Sequence, residues 1–204
     1  SESSISLASD ILLDGGVVCI PTDTVYGLAA CVSLEEAVEK VFHIKGRPKS
    51  SPMPVLLKSI EQMHRYASEI PLMAEILAKY YWPGPLTVIL KKSSSLSPLI
   101  TAGLDTAGFR IPGHDVPLEL CDRTKDAIIG TSANKSGKPP ATNIEEAISQ
   151  LSEYPVDLFL DGGPSGSYSP STIIDCSKEP PKVLREGTLS KEELFKTMES
   201  RGVD

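Results

Sequence analysis

Gly15-Gly16-Val17-Val18-Cys19-Ile20-Pro21-Thr22-Asp23-Thr24-Val25-Tyr26-Gly27-Leu28 begins with a turn and a short apolar run and ends in a polar exit. The paired glycines supply the turn, and Pro21 ends the strand because it has no amide proton for a ladder. Just beyond, Ser33 and Glu36 have the spacing of a capping box, while Ala37, Val38, Val41 and Phe42 form an apolar stripe, predicting a helix over about 34–44. A buried strand, a polar exit and an amphipathic helix are the opening of an α/β chain.

The alternation continues outward. Pro52 to Leu57 reads as a strand, Ser59 and Gln62 repeat the capping-box spacing, and a helix is expected from about Pro71 to Tyr81, broken by Trp82-Pro83-Gly84-Pro85. Strands follow at 86–90, 109–111 and 127–130, with a helix near 117–122 between the last two. Helix 143–151, strands 156–160, 171–175 and 182–185, and a helix starting at Ser190, boxed by Glu193, complete the pattern. The Gly/Ser/Pro loop at 162–170 has the composition of a lid. A single domain over 1–204 is expected, since 204 residues suffice for one well-buried core.

Composition narrows the partners. A net charge of −7 works against a large nucleic-acid footprint, which needs many Lys/Arg contacts to phosphate, and only 5% of residues are aromatic. No apolar run is long enough to span a membrane, so a soluble, cytosol-like protein is expected. An organellar location stays open, because the chain starts without Met. Cys19, Cys31, Cys121 and Cys176 are scattered, with no C-x-x-C pair and no zinc-ligand spacing to a histidine.

Local chemistry concentrates in two places. Lys45-Gly46-Arg47-Pro48-Lys49-Ser50-Ser51-Pro52 gathers three cations within five residues, and Thr131-Ser132-Ala133-Asn134-Lys135-Ser136-Gly137 follows an apolar strand, where ligands of α/β sheets tend to sit. There is no P-loop, dinucleotide fingerprint or nucleophile elbow. Lys45 and Arg47, read as alternating along an extended segment, would point the same way, toward one phosphate chain or simply into solvent beyond a helix end. Ser132 and Asn134 suit either a ligand or a self-bonded turn. Arg110, between Phe109 and Ile111, needs an anion: an aspartate of the chain or a ligand carboxylate. Arg185 poses the same choice. His43, His64 and His114 are read as structural.

Eight stretches in order resemble the YrdC-like family of threonylcarbamoyl-AMP synthases: Pro21 to Leu28, Lys45 to Pro48, Tyr81 to Thr87, Thr101 to Thr106, Phe109 to Pro112, Thr131 to Asn134, Ser171 to Asp175 and Leu184 to Gly187. The resemblance implies a twisted mixed β-sheet with flanking helices and an open central cavity, related in fold to dihydroxybutanone-phosphate synthase. It implies a reaction of L-threonine, bicarbonate and ATP with Mg²⁺, giving threonylcarbamoyl-AMP and pyrophosphate for a downstream transferase complex that modifies tRNA. By position, Lys45 and Arg47 resemble the catalytic phosphate ligands; Ser51, Thr106, Ser132, Asn134 and Arg185 fall at nucleotide positions; Thr24, Arg110 and Ser171 fall at threonine positions. Three residues depart from the pattern: Ser51 where Asn is frequent, Leu56 where His can contact threonine, and Pro140 where Ser can contact ATP. Two rival readings are an RNA-binding translation or ribosome-maturation factor gripping tRNA or double-stranded RNA, and a generic nucleotide hydrolase. A weak RNA contact is compatible with synthesis.

Overall fold

A computed structural model describes residues 1–167 and 169–201. Within them, nine strands form one mixed sheet: β1 (Val18–Ile20), β2 (Gly27–Cys31), β3 (Val55–Leu56), β4 (Leu86–Lys91), β5 (Thr106–Arg110), β6 (Ile128–Ser132), β7 (Leu158–Phe159), β8 (Thr172–Asp175) and β9 (Lys182–Arg185). They lie in the order β7-β1-β2-β6-β3-β5-β4-β8-β9. The pairs β1/β7, β3/β5 and β4/β8 are parallel and the remaining five are antiparallel.

Strand side chains alternate between faces, and the helices divide accordingly. On one face, Leu28, Val55, Val88, Phe109, Ile129 and Ile174 form a large core with α2 (Glu35–Lys45), α3 (Ile60–Tyr66), α4 (Leu72–Tyr81), α6 (Ile144–Leu151) and α7 (Lys191–Arg201). On the other, Val18, Ile20, Ala29, Cys31 and Ile128 pack under Ile5, Ala8 and Leu12 of α1 (Glu2–Leu13) and Leu120 and Cys121 of α5 (Asp115–Thr124). Two helices cover only part of that second face. The remainder, toward β5, β4, β8 and β9, is left open.

Most expected elements are present with shifted ends. The strand placed at 109–111 runs from Thr106 to Arg110, and those at 52–57 and 156–160 shorten to two residues each. Helix α1 and strand β2 were not legible: serines at 1, 3, 4, 6 and 9 mask the α1 apolar spacing, and Gly-Leu-Ala-Ala-Cys has no alternation because both its faces are buried. The Ser33 box does not form. Leu34 caps α2, and Ser33 instead donates its amide (3.1 Å) and hydroxyl (2.6 Å) to buried Asp126, which also receives the Tyr66 hydroxyl at 2.7 Å. The Ser190/Glu193 box closes reciprocally, at 2.9 Å and 3.2 Å. Loop 162–170 includes residue 168, outside the described residues; the start of the loop is tied down by Tyr26, whose hydroxyl donates to the Gly163 carbonyl (2.7 Å) and accepts the Gly162 amide (3.0 Å).

Depth on the open face comes from glycine. A Cβ on Gly130 would stand 2.3 Å from the Leu56 Cδ1, and one on Gly108 would stand 3.1 Å from the Thr87 Cγ2. Gly130→Ala is therefore expected to cost about 1–3 kcal/mol through overpacking. In a Leu56→Ala background most of that penalty should disappear; equal penalties in both backgrounds, measured by denaturant midpoint, would contradict this account.

Candidate functional site

The uncovered part of the sheet is the floor of a cavity of about 250 Å³. Its lining comes from Thr24 and Gly27, Leu56, Thr87 and Ile89, Gly108 and Arg110, Gly130 and Ser132, Ile173 and Arg185, with Arg47 and Pro140 on the walls. These residues occur on seven strands and their exits, and most sit one step in register from a residue of the large core: Arg110 after Phe109, Thr87 before Val88, Gly130 after Ile129.

Arg47 reaches the wall by a different route from the extended one expected. Lys45 is the last residue of α2, and Gly46 follows in the left-handed conformation (φ +61°), so the chain reverses between the two cations. They consequently point in different directions. Arg47 Nη2 donates to the Pro52 carbonyl at 2.8 Å, while its buried Nε has no partner. Lys45 is 2% exposed and does not line the cavity; its ammonium donates to the carbonyls of Ser132 and Asn134 and to Asn134 Oδ1. Burial, then the charges of Arg47 and Lys135, push its pKa down to about 7.

Arg110 resolves into the structural ion pair. Nη2 binds Asp23, Nη1 donates to Thr24 Oγ1 (3.0 Å) and Nε to the Gly84 carbonyl (3.0 Å). Three of five N–H groups are thus satisfied by the protein, leaving two. Thr22 donates to the Val25 carbonyl at 2.6 Å, so the 3.1 Å contact between Thr22 and Thr24 uses the Thr24 proton. Burial draws the Arg110 pKa down, opposed by Asp23.

Arg185 holds the Ser171 carbonyl through Nε (3.2 Å) and Nη2 (2.9 Å), and its pKa is drawn down by burial and then by Arg47. Ser171 itself lies behind the wall, sharing a 2.7 Å hydrogen bond with Thr87. Of the expected site residues, Thr24, Arg47, Arg110, Ser132 and Arg185 line the cavity; Lys45, Ser51, Thr106, Asn134 and Ser171 do not. Among the described residues none that lines the cavity is an Asp or Glu. Among the described residues neither Arg47 nor Arg185 meets a carboxylate, and no group of His, Cys, Asp and Glu could hold a metal. Sequence reasoning missed Asp23 as the partner of Arg110 and the glycine floor; the first was visible only as an acid in the same polar exit as Thr24.

Fold and site define an α/β protein with an arginine-lined cavity on a half-covered sheet. Residues 10–187 match the Sua5/YciO/YrdC family, described as "Telomere recombination", and the chain belongs to that family. It is 40% identical over 197 residues to the threonylcarbamoyl-AMP synthase of Pyrococcus abyssi, covering 97% of this chain and 58% of the relative. The Bacillus subtilis threonylcarbamoyl-AMP synthase is 38% identical over 195 residues, covering 95% and 56%. The crystal structure of P. abyssi Sua5 complexed with L-threonine superimposes with a TM-score of 0.94 at 40% identity, over 97% of this chain and 58% of that one. The chain therefore spans somewhat over half the length of these relatives.

Removing Asp23 would leave a guanidinium buried beside two neutral acceptors. Asp23→Ala is expected to cost about 3 kcal/mol of stability, the low end for a broken buried pair because Asp23 keeps some solvent contact. A denaturant midpoint unchanged from wild type would show that the pair contributes nothing.

Proposed function

We propose that this chain carries the threonylcarbamoyl-AMP synthase reaction, a nucleotidyl transfer: L-threonine, bicarbonate and ATP give threonylcarbamoyl-AMP, pyrophosphate and water. The observation that carries the reading is the cavity lined, among the described residues, by three arginines and no carboxylate, in which Arg47 keeps an unpartnered buried Nε. Such a site favours a multiply charged anion, and guanidinium groups match phosphate oxygens with paired N–H donors. The synthase names of the relatives and the threonine-bound Sua5 structure support the choice of substrates.

In this mechanism the threonine amine captures bicarbonate as a carbamate with loss of water. A carbamate oxygen then attacks the α-phosphorus of ATP, and the bond to pyrophosphate breaks. Arg47 and Arg185, which meet no carboxylate among the described residues, bear the negative charge that grows on the leaving group. Arg110 keeps two N–H donors for the threonine carboxylate, and Thr24 Oγ1 beside it offers a remaining lone pair to the amine. Holding the reactants together on one floor replaces a multi-body encounter. Mg²⁺ fits as a cation carried by the nucleotide's phosphates, since the walls offer hydroxyl and carbonyl oxygens but no carboxylate; it neutralises phosphate charge when bound. The product serves a downstream transferase that modifies tRNA, and the four buried free cysteines suit a reducing, cytoplasmic setting.

The test is pyrophosphate release by the purified chain with ATP and Mg²⁺, omitting threonine and bicarbonate in turn, with chromatography for the adenylate. Release that requires both co-substrates is expected. Release that needs neither identifies a hydrolase, and none from folded protein removes the synthase reading. In an active preparation, Arg47→Ala should lower kcat/KM by about 30- to 900-fold, the equivalent of about 2–4 kcal/mol of transition-state stabilisation; a loss below about threefold excludes Arg47 from that role.

A further inference from the structure

Lys45 is buried beside the cavity-lining Ser132 and does not itself line the cavity. Its ammonium has three N–H donors and meets three oxygens: the Ser132 carbonyl, the Asn134 carbonyl at 3.0 Å and Asn134 Oδ1 at 3.1 Å. No donor remains for a ligand. The turn is also fastened in the opposite direction, for the Ser136 amide donates to the Lys45 carbonyl (2.8 Å) and Lys135 Nζ to the Ile44 carbonyl (2.8 Å). Lys135 is in turn held 3.6 Å over the Tyr154 ring. The 132–136 turn and the C-terminus of α2 are thus cross-braced, although 87 residues separate Lys45 from Ser132.

The brace fixes the orientation of an amide. Asn134 Nδ2 donates to the carbonyls of Lys135 (2.9 Å) and Lys138 (2.7 Å), which leaves Oδ1 facing Lys45. The same Oδ1 receives the Ser132 hydroxyl proton at 2.6 Å. Ser132 has one proton to give, and it is committed, so what this residue offers the cavity is an oxygen acceptor.

We propose that Lys45 is a positioning residue and not a phosphate ligand: it locks the Ser132–Asn134 turn so that Ser132 Oγ accepts a hydrogen bond from an amino or hydroxyl group of the nucleotide. The proposal rests on the nucleotide reading of the cavity. Phosphate charge is then left to Arg47 and Arg185, and Lys45 acts on the ligand only through Asn134.

A double-mutant cycle tests this in the full chain, with calorimetric binding of ATP with Mg²⁺ and, separately, of pyrophosphate, to wild type, Lys45→Met, Asn134→Ala and the double variant. ATP affinity should fall tenfold or more in Lys45→Met, the double variant should lose no more than Asn134→Ala alone, and pyrophosphate affinity should change less than threefold in Lys45→Met. Losses that multiply, or a pyrophosphate loss as large as that for ATP, would overturn the proposal by showing that Lys45 meets phosphate directly. If Lys45→Met does not fold, Lys45→Gln takes its place. The side-chain amide of Asn134 is read by ¹⁵N NMR in the same proteins without ligand: its two proton signals should shift, and exchange with solvent should accelerate at least tenfold, in folded Lys45→Met. An unchanged Asn134 amide overturns the positioning role even if wild type binds no nucleotide, an outcome that by itself removes only the nucleotide reading.

Discussion

A nine-stranded sheet has two faces to cover, and α1 and α5 do not suffice for one of them. The large core behind Phe109, Ile129 and Val88 backs the sheet on one side, while the core under α1 and α5 covers only part of the other. The free part of the opposite face can then afford glycines at 27, 108 and 130, polar threonines at 24 and 87, and a guanidinium at 110, none of which belongs in a dry core. Cavity and large core are separated across the thickness of one sheet, with adjacent residues of the same strand facing each.

This separation explains what the sequence disclosed. Strand and helix alternation, the α2 stripe, the α6 and α7 starts and the polar exit at Thr22 to Thr24 were legible because each is a local pattern with a period or a cap. Strand β2 was not, since a strand buried on both faces loses its alternation, and α1 was hidden by serines that its Ile5, Ala8 and Leu12 spacing overrides once packed against Cys31 and Ile128. Ser33 shows why a local motif can mislead: a buried carboxylate, Asp126, competes for the hydroxyl that a capping box would use.

The site was partly legible for similar reasons. Arg110 stood out as a charge in an apolar strand, and its need for an anion was correct, but the choice between Asp23 and a ligand depends on three-dimensional proximity. Lys45 and Arg47 look equivalent on paper. A single left-handed glycine between them sends one to the cavity wall and the other beneath the 132–136 turn, and no alternation rule for extended chain applies across such a reversal.

The arginines also differ in how much of their charge the protein has already answered. Arg110 is buried and matched by Asp23, whereas Arg47 and Arg185 each meet only a backbone carbonyl, Arg185 with much of its surface exposed but its guanidinium partly buried against Ser171. The charge left without an internal carboxylate among the described residues therefore belongs to Arg47 and Arg185. A long anion of the kind proposed for this cavity would be drawn by its most charged end toward Arg47 and Arg185 and away from the already matched Arg110, so that its head and tail would be sorted before any specific hydrogen bond is made.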